Sequence, residues 1–380
     1  MYREITIIFP QSTLLHRTRL TKLATIAYNL DMDISTWAWE RKKGDFNDEL
    51  KLSFKERKVL LRGGGYNTRW IRFYYPGWVL SVFLRLLVRR PKAPVYCLGF
   101  ETAFPAWLAG KIVGVKYIFD DADRFSMIIS LPAPLKKILK KMEKRVSEDS
   151  IINIIPGHER YEFRNDRQFV VKNMPDQAAL EKSKLISVDR PKKKLVIYVN
   201  GWMGETRGMP IALKLANRLV LSNSSVCFIA AGNVDGYSAE KFVSLPNVKY
   251  LGALKNHEAL AWYRVADLVF TYYDPAIEIN RYAESNKWGD GVLFNVPAIV
   301  NKEVLTAEFL RSANACVSVP YHDLDALEKK INELIKDKQY FDQIKSNLLV
   351  KRSSIRYFDE AIKEVIQNAY FEEAFGSVNF

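Results

Sequence analysis

Cysteine is scarce in this chain, and its three cysteines lie far apart. Cys97, Cys227 and Cys316 each fall inside an apolar run that predicts a strand. We therefore expect buried, reduced thiols, which suit a reducing compartment and give no support to a disulfide framework or a zinc site.

Long hydrophobic runs are also missing. The N-terminus, MYREITIIFPQ, lacks the basic region, the long apolar core and the cleavage site of a signal peptide, and it predicts a strand instead. The most apolar segment, 78–88, contains Arg85 and is shorter than the ~20 residues needed to cross a bilayer. We expect no export by that route and only peripheral contact with a membrane.

Length and charge define the broad class of the protein. A chain of 380 residues with 48% apolar residues predicts two folded domains. The formal net charge of +14 predicts an anionic partner, which could be nucleic acid, anionic lipid or a phosphorylated small molecule. Because no nucleic-acid-binding motif is recognisable, nucleic acid is not the partner that we expect.

Strand and helix patterns alternate along both halves of the chain. In the first half, a β-branched run at 5–9 precedes a loop and a helical pattern at 20–30. In the second half, an apolar run at 195–199 precedes a glycine loop and a helix beginning near Met209-Pro210. A polar stretch up to Lys194 separates the halves. The pattern predicts an α/β protein with two doubly wound parallel sheets.

The glycine loop of the second half is a candidate anion site. It runs through Gly201, Gly204 and Arg207 to Gly208 and leads into the predicted helix. Backbone amides, the positive end of that helix and the arginine would together suit a diphosphate. The alternative is a loop that merely connects strand to helix and leaves Arg207 exposed.

Two loops of the first half leave alternatives open. Gly63-Gly64-Gly65 could approach a ligand closely or could be a plain flexible turn. The acidic run from Asp120 to Asp123 follows a predicted strand, and Asp121 and Asp123 have an Asp-x-Asp spacing. It could contact a sugar or acceptor, hold a metal ion or cap a loop, and a metal is the alternative that we favour least.

A predicted helix at 134–146 separates apolar from basic residues. Its apolar stripe comprises Leu135, Ile138, Leu139, Met142 and Val146. Its basic residues are Lys136, Lys137, Lys140, Lys141, Lys144 and Arg145, opposed only by Glu143. The helix is either a solvated surface packed by its stripe or a patch that binds an anionic membrane. The basic, aromatic segment 69–90 favours the membrane.

Several motifs of the second half resemble the family 4 retaining glycosyltransferases, which have the GT-B fold. The strand and glycine loop at 198–208 are similar to that family's loop ending in Lys-Gly or Arg-Gly, and 247–252 is similar to its "NVxxxG" strand. The segments 285–290 and 295–300 resemble the family's "SNKxx(D/E)…GxPxI" pattern. At the end of the first half of the chain, 173–176 resembles the "NxPD" motif with which the first half ends in members of that family.

The resemblance implies two Rossmann-like domains facing a central cleft, with a C-terminal helix packing back on the first. It places an acceptor-binding domain at 1–176, joined by 356–380, a linker at 177–193 and a nucleotide-sugar-binding domain at 194–355. It also implies a metal-independent hexosyltransferase that needs no cofactor beyond its donor substrate.

The resemblance also assigns roles to individual residues. Catalytic candidates are Arg207, Lys287 and Asp123, and donor-binding candidates are Gly201, Gly204, Arg207, Tyr282, Asn286, Lys287 and Asp290. Asp290 would bind the ribose hydroxyls, and Arg207 would neutralise the diphosphate. Candidates for acceptor or membrane contact are His16, Arg17, Lys136, Lys137, Lys140, Lys141 and Lys144. The chain departs from the family at Tyr282, where the first acid of the paired-glutamate motif would fall, and at Asn295, where the family has glycine.

The implied function is transfer of a sugar from a nucleotide-diphosphate donor to a lipid-linked or cell-surface glycan, with retention, at the cytoplasmic face of the membrane. Other group transfer on the same fold and a non-catalytic, membrane-associated scaffold are the alternatives.

Overall fold

The computed structural model describes residues 2–47, 50–66, 71–222 and 225–371. Contacts between Cα atoms divide the chain into two compact units. The first unit comprises Met1–Val171 and Asp359–Phe380, and the second comprises Lys172–Phe358. Each unit is built on a parallel sheet, which confirms the predicted fold class.

The first unit contains a seven-stranded parallel sheet. Its strands are β1 (Glu4–Phe9), β2 (Asp33–Glu40), β3 (Glu56–Arg62), β4 (Val95–Leu98), β5 (Tyr117–Asp120), β6 (Ile152–Ile155) and β7 (Gln168–Val170). They lie in the order β3-β2-β1-β4-β5-β6-β7. The chain therefore moves outward from β1 to β3 and returns to the other side of β1 with β4. That reversal places a topological switch point between β1 and β4.

Helices of the first unit pack on this sheet. They are α1 (Thr18–Asn29), α2 (Ile71–Arg89), α3 (Phe100–Val113), α4 (Phe125–Ile128) and α5 (Ala133–Glu148). One hydrophobic core joins α2, α3 and α5 to the sheet through buried residues such as Trp39, Trp78 and Val146. Within the described residues, α2 is the helix that is long and apolar enough to cross a membrane, by length and composition alone. It extends well beyond the apolar segment 78–88 noted in the sequence. Of the basic, aromatic segment 69–90, Arg69 and Trp70 lie outside the residues that the structure describes.

The second unit contains a six-stranded parallel sheet and a short two-stranded one. Its strands are β8 (Leu195–Asn200), β9 (Met203–Gly204), β10 (Val226–Ala231), β11 (Val234–Asp235), β12 (Val248–Tyr250), β13 (Leu268–Thr271), β14 (Ala298–Asn301) and β15 (Cys316–Val319). The large sheet has the order β12-β10-β8-β13-β14-β15, and β9 pairs with β11. The inner strands β8, β10, β13 and β14 are buried along their whole length because helices cover both faces, with separate buried cores on the two sides.

Helices α6 to α13 belong to the second unit, and α14 returns to the first. They are α6 (Gln177–Lys184), α7 (Met209–Ser222), α8 (Tyr237–Val243), α9 (Asn256–Ala261), α10 (Asn286–Phe294), α11 (Glu308–Arg311), α12 (Leu324–Lys336), α13 (Lys338–Arg352) and α14 (Phe358–Ile366). The segment 177–193, expected as a linker, begins with α6, and Asp176 caps that helix by accepting a bond from Ala179 N at 2.6 Å.

The C-terminal segment packs on the first unit, as the fold class requires. Beyond α14, a π-helical turn spans Gln367–Phe371. Its Tyr370 hydroxyl donates to Pro94 O at 2.9 Å, and Tyr2 N donates to Tyr370 O at 2.6 Å.

Helix α5 differs from its predicted amphipathic pattern. Leu135 and Ile138, expected to pack inward, are about half exposed. Glu143, expected beside the surface lysines, is buried, and its carboxylate accepts from Arg124 Nε at 3.1 Å. Because Arg124 is also fully buried, a charge inside the unit draws the carboxylate inward, and the helical pattern alone does not reveal that charge.

Candidate functional site

The strand order of the second unit defines where a ligand would bind. The chain passes from β8 outward through β10 to β12 and then returns to the other side of β8 with β13. In open parallel sheets, ligands bind outside the carboxyl ends of the strands at such a switch point. The loops that follow β8 and β13 therefore carry the candidate site.

Glycines bring these two loops into direct contact. Gly208, at the end of the loop after β8, has a φ of +78°, and a Cβ there would overlap the Cβ of Tyr272, just beyond β13. Gly232, after β10, approaches so closely that a Cβ would overlap the carbonyl oxygen of Gly201. No other residue type fits these positions without moving the backbone. The glycines thus hold three strand ends together.

Arg207 lies between the two loops, immediately before the start of α7. Its guanidinium carbon is 5.5 Å from the ring centre of Trp202 in its own loop and 5.0 Å from that of Tyr273 after β13. Contact with two aromatic faces holds the planar group in place and leaves its N–H donors available. The nearby carboxylate of Glu205 is engaged elsewhere, since it accepts bonds from Ser238 N and Ser238 Oγ, both at 2.7 Å.

Tyr273 is itself fixed by a buried amide. Asn301, at the end of β14, accepts from Tyr273 N at 3.0 Å and donates to Tyr273 O at 3.1 Å. It also donates to Glu303 at 2.9 Å. Asn301 is fully buried. The β14 strand end therefore positions the aromatic ring that contacts Arg207.

The segment after β13 braces the loop that carries Arg207. Asp274 N donates to Thr206 O at 3.0 Å, and Asn280 Nδ2 donates to the same oxygen at 3.2 Å. Tyr282, a predicted donor-binding residue, ends the short 3₁₀ helix Glu278–Tyr282 in this segment and is half-buried.

Helix α10 adds a second cation to the site. It begins at Asn286, which is exposed, and the Lys287 ammonium lies 3.8 Å from the position that a Cβ on Gly201 would occupy. In the part of the chain that the structure describes, neither Arg207 nor Lys287 has a carboxylate partner. Two such cations beside a helix N-terminus are suited to bind an anion.

Asp290 lies one turn further along α10 and faces the end of β8. Its carboxylate lies beside the buried hydroxyl of Tyr263, and that hydroxyl is also 3.4 Å from Asn200 Oδ1. Burial and the nearby Asp290 carboxylate hold the pKa of Tyr263 well above its usual value, so Tyr263 remains a neutral donor. The chain of contacts places Asp290 near Asn200, which directly precedes Gly201.

The structure therefore brings together most donor-binding candidates. Gly201, Gly204, Arg207, Lys287 and Asp290 surround the end of β8. Sequence reasoning missed Trp202 and Tyr273, which contact the arginine, and Asn301, which fixes Tyr273. The signal for Trp202 was its place within the glycine loop, whereas Asn301 becomes relevant only once β13 and β14 are known to be neighbours.

The acidic run of the first unit is engaged mainly in internal contacts. Asp120 accepts from Arg19 Nε at 2.7 Å and from the Tyr96 hydroxyl, and the Asp121 carboxylate accepts from the Tyr161 hydroxyl at 2.7 Å. These internal contacts favour a structural role over ligand binding for Asp120 and Asp121. Among the described residues, no group of three or more His, Cys, Asp or Glu side chains could hold a metal ion.

The other acceptor candidates lie in the first unit. Asp123 pairs with Arg17 at 3.3 Å, and both are about half exposed. His16 lies in the 3₁₀ helix Leu14–His16, and its side chain lies outside what the structure describes. Gly63 and Gly64 pack against the ring of Tyr74, which favours the plain turn over a ligand loop.

Glu101 is a residue that sequence reasoning missed. It lies in the first turn of α3, just past the carboxyl end of β4, and is partly buried. Burial raises the pKa of its carboxyl to about 7; Arg41 and Arg17 nearby oppose the shift, and Asp123 adds to it. A carboxyl with this pKa at a switch point is a candidate proton acceptor. The sequence signal for Glu101 was the position of an acidic residue shortly after a predicted strand, just beyond Gly99.

The five α5 lysines differ in their surroundings. Lys140 pairs with Glu162 at 2.6 Å, and Lys144 contacts Glu148 at 3.6 Å. Lys137 and Lys141 are exposed, and Lys136 is half-buried. The basic row therefore carries less uncompensated charge than its sequence suggests.

Comparison with known proteins finds no matching family model and no matching curated protein. Solved structures do match. The trehalose-6-phosphate structure from E. coli bound with UDP-2-fluoro glucose has a TM-score of 0.67 at 9% identity, covering 97% of this chain and 99% of that one. WaaG, a glycosyltransferase involved in lipopolysaccharide biosynthesis, has a TM-score of 0.64 at 11% identity, covering 97% and 100%.

The chain has the GT-B fold. A putative UDP-N-acetylglucosamine 2-epimerase from Listeria monocytogenes is also similar, with a TM-score of 0.63 at 12% identity over 96% of this chain and 95% of that one. Because these identities are low, the GT-B fold is what the likeness shows. The chemistry depends on the side chains at the strand ends.

Proposed function

We propose that this protein is a glycosyltransferase that takes a sugar from a nucleotide-diphosphate donor bound in the second unit. The observation that carries the proposal is the pair of cations, Arg207 and Lys287, which lack a carboxylate partner among the described residues and lie at the switch point. A neutral or cationic ligand would leave both charges uncompensated. A diphosphate would satisfy them together.

The same cations would also assist the reaction. When the bond between sugar and diphosphate breaks, negative charge grows on the leaving phosphate oxygens. A guanidinium already held by Trp202 and Tyr273 can stabilise that charge without rearranging. The N-terminus of α7 adds a favourable dipole. Asp290 would accept the ribose hydroxyls with the acceptor capacity that Tyr263 leaves open.

We extend the proposal to the acceptor and its location. The acceptor would be a lipid-linked or cell-surface polysaccharide, bound by the first unit near Arg17, Asp123 and Glu101, and the enzyme would lie peripherally on the cytoplasmic face of the membrane. Retention of the anomeric configuration and independence from metal ions complete the proposal and follow from the family resemblance. The similarity in fold to WaaG, a glycosyltransferase involved in lipopolysaccharide biosynthesis, supports this class of acceptor.

Calorimetric titration with UDP, GDP and ADP tests the donor site. We expect at least one nucleoside diphosphate to bind the wild type, and Arg207→Ala to bind it about 10- to 100-fold more weakly, as loss of a charge-assisted bond predicts. Asp290→Ala should also weaken binding. Addition of EDTA should leave the affinity unchanged.

Arg218→Ala is the matched control. Arg218 lies in the same unit but pairs with Asp325 on the surface, so its removal should not alter nucleotide binding. The proposal fails if no nucleoside diphosphate binds the wild type, or if Arg207→Ala binds as tightly as Arg218→Ala. Turnover of a panel of nucleotide sugars with membrane extract then identifies the sugar.

A non-catalytic scaffold is the second candidate, and Tyr282 is the observation that favours it, because this residue replaces the first acid of the family motif. Nucleotide binding with an intact donor after long incubation with acceptor membranes would support the scaffold.

A further inference from the structure

Helix α2 has two apolar faces, and the structure covers one of them. On the inward face, Trp78, Val82 and Leu86 are fully buried in the core of the first unit. On the outward face, Leu80 is 55%, Leu84 50% and Val88 78% exposed. Surface helices normally place charged residues on the face that meets water. The outward face of α2 therefore differs from an ordinary soluble helix.

The outward face is a continuous stripe. The positions of α2 that are exposed between its terminal arginines are Phe73, Pro76, Leu80, Leu84 and Val88. They recur every three or four residues, so they lie along one side of the helix over about 22 Å. No charged side chain interrupts the exposed positions between Arg72 and Arg89. We call this set the outer stripe.

Basic residues lie at both ends of the outer stripe. Arg72 precedes it, with its guanidinium 5.1 Å from the ring centre of Phe73, and Arg89 and Arg90 follow it. Arg89 pairs with Glu56 at 2.8 Å, whereas Arg72 and Arg90 have no carboxylate partner among the described residues. When such a stripe lies flat on a bilayer, its apolar side chains meet the acyl chains, and the long arginine side chains at its two ends reach up to the lipid phosphates.

Helix α2 cannot leave the protein to cross a membrane. It connects β3 to β4 in one parallel sheet, and its inward face stacks Trp78 on Trp39 with ring centres 5.9 Å apart. Arg85 and Arg89 of the helix also form ion pairs with Glu56 of β3, at 2.6 and 2.8 Å. The helix can therefore meet a membrane only lengthwise, with the outer stripe facing the lipid.

We propose that α2 is the membrane-docking element of this protein, with Leu80, Leu84 and Val88 inserted at the boundary between headgroups and acyl chains of an anionic bilayer. Arg72 and Arg90 remain with the lipid phosphates. This proposal specifies how the protein would reach the membrane surface given under the proposed function. It rests on the proposed function for the membrane location alone, because docking requires no catalysis. It assigns the main role to α2, and a lesser electrostatic role to Lys137 and Lys141 of α5.

Co-sedimentation of the full chain with vesicles of 70% phosphatidylcholine and 30% phosphatidylglycerol tests the proposal. We expect the wild type to bind, and Leu80→Glu/Leu84→Glu to bind at least tenfold more weakly. Raising the salt from 0.1 to 0.5 M should weaken wild-type binding only partly, because apolar insertion is not screened. Lys137→Ala/Lys141→Ala should reduce binding less than the α2 substitutions do.

A matched control replaces exposed apolar residues of the second unit. Leu185 is 87% and Val350 70% exposed, so Leu185→Glu/Val350→Glu adds the same charge and should bind vesicles like the wild type. Circular dichroism should show that all variants remain folded, since every substituted side chain points outward.

The proposal is overturned if the wild type does not bind these vesicles, or if the α2 variant binds them like the control. It is also overturned if light scattering shows a wild-type dimer that only the α2 substitutions make monomeric, while vesicle binding persists. The last result would assign the stripe to a second copy of the chain. Nucleoside diphosphate titration separates the two proposals, because the α2 variant should keep wild-type nucleotide affinity. If no nucleotide binds but the stripe still controls vesicle binding, the transferase proposal fails and docking stands.

Discussion

The two parallel sheets end in loops of opposite character. At the edge of the first sheet, charges are neutralised inside the protein, as in the pairs Arg19–Asp120 and Arg124–Glu143. At the edge of the second, glycines bring backbones together, and Arg207 contacts aromatic rings instead of acids. The same topology thus yields one edge where buried ion pairs stabilise the fold beside the half-exposed pair Arg17–Asp123, and another where cations without a carboxylate partner among the described residues are available to a ligand.

The largest test of this contrast compares two arginines. Arg124→Ala would leave Glu143 buried without its partner, at a cost of about 3–5 kcal/mol, which corresponds to a fall of roughly 6–20 °C in the melting temperature of the first unit. Arg207→Ala removes only two cation–π contacts and should cost about 1 kcal/mol. Thermal unfolding followed by circular dichroism measures both. Equal destabilisation by the two substitutions would remove the distinction between the edges.

A second test concerns the glycines of the second edge. Gly208→Ala forces a Cβ into Tyr272 and should cost about 3 kcal/mol. Gly252 has a similar φ of +75° with nothing within 4 Å of its ideal Cβ, so Gly252→Ala should cost only the roughly 1 kcal/mol of the left-handed conformation. Urea unfolding gives both values. If the two costs agree, close approach of the loops does not explain Gly208.

The third test is a pH dependence of stability at the first edge. Because the pKa of Glu101 is raised to about 7 in the folded protein, from an ordinary value near 4.5, the folded state holds its proton more tightly than the unfolded state. Its contribution to stability is complete below about pH 4.5 and is lost as the pH rises through 7. Glu101→Gln should therefore flatten the decline in stability over this range.

Asp45→Asn serves as the comparison for that profile, since this carboxylate lies in the same unit and contacts Tyr66 at the surface. A Glu101→Gln profile that runs parallel to the wild type between pH 4.5 and 7 would show that this carboxyl does not titrate there.

The second edge was the more predictable of the two, because its features are local in the chain. A strand, glycines, an arginine and a helix start lie within 198–210, and local signals of this kind survive folding. Tyr273 and Asn301 could not be predicted as partners of the site, because their positions depend on β13 and β14 lying beside β8.

At the first edge, the helical pattern of apolar and charged residues gave a wrong prediction, because ion pairs join residues that are far apart in the sequence. Glu143 looked like a surface residue because its partner Arg124 lies 19 positions away in the sequence. Helix α2 posed a different difficulty, since apolar residues on both faces give no periodic signal that separates a core helix from one that also meets lipid. Helix α6 was missed because its polar composition obscured the capping residue Asp176.

The return of the chain end to the first unit has a consequence for biosynthesis. Tyr370 bonds both Tyr2 and Pro94, so the first unit contains residues that are translated only after the whole second unit. Residues 172–358, which form the second unit, are synthesised in between. At 5–20 residues per second, the first unit waits roughly 10–40 s for its last element. Until Tyr370 is made, the segments at Tyr2 and Pro94, just before β1 and β4, lack these two hydrogen bonds.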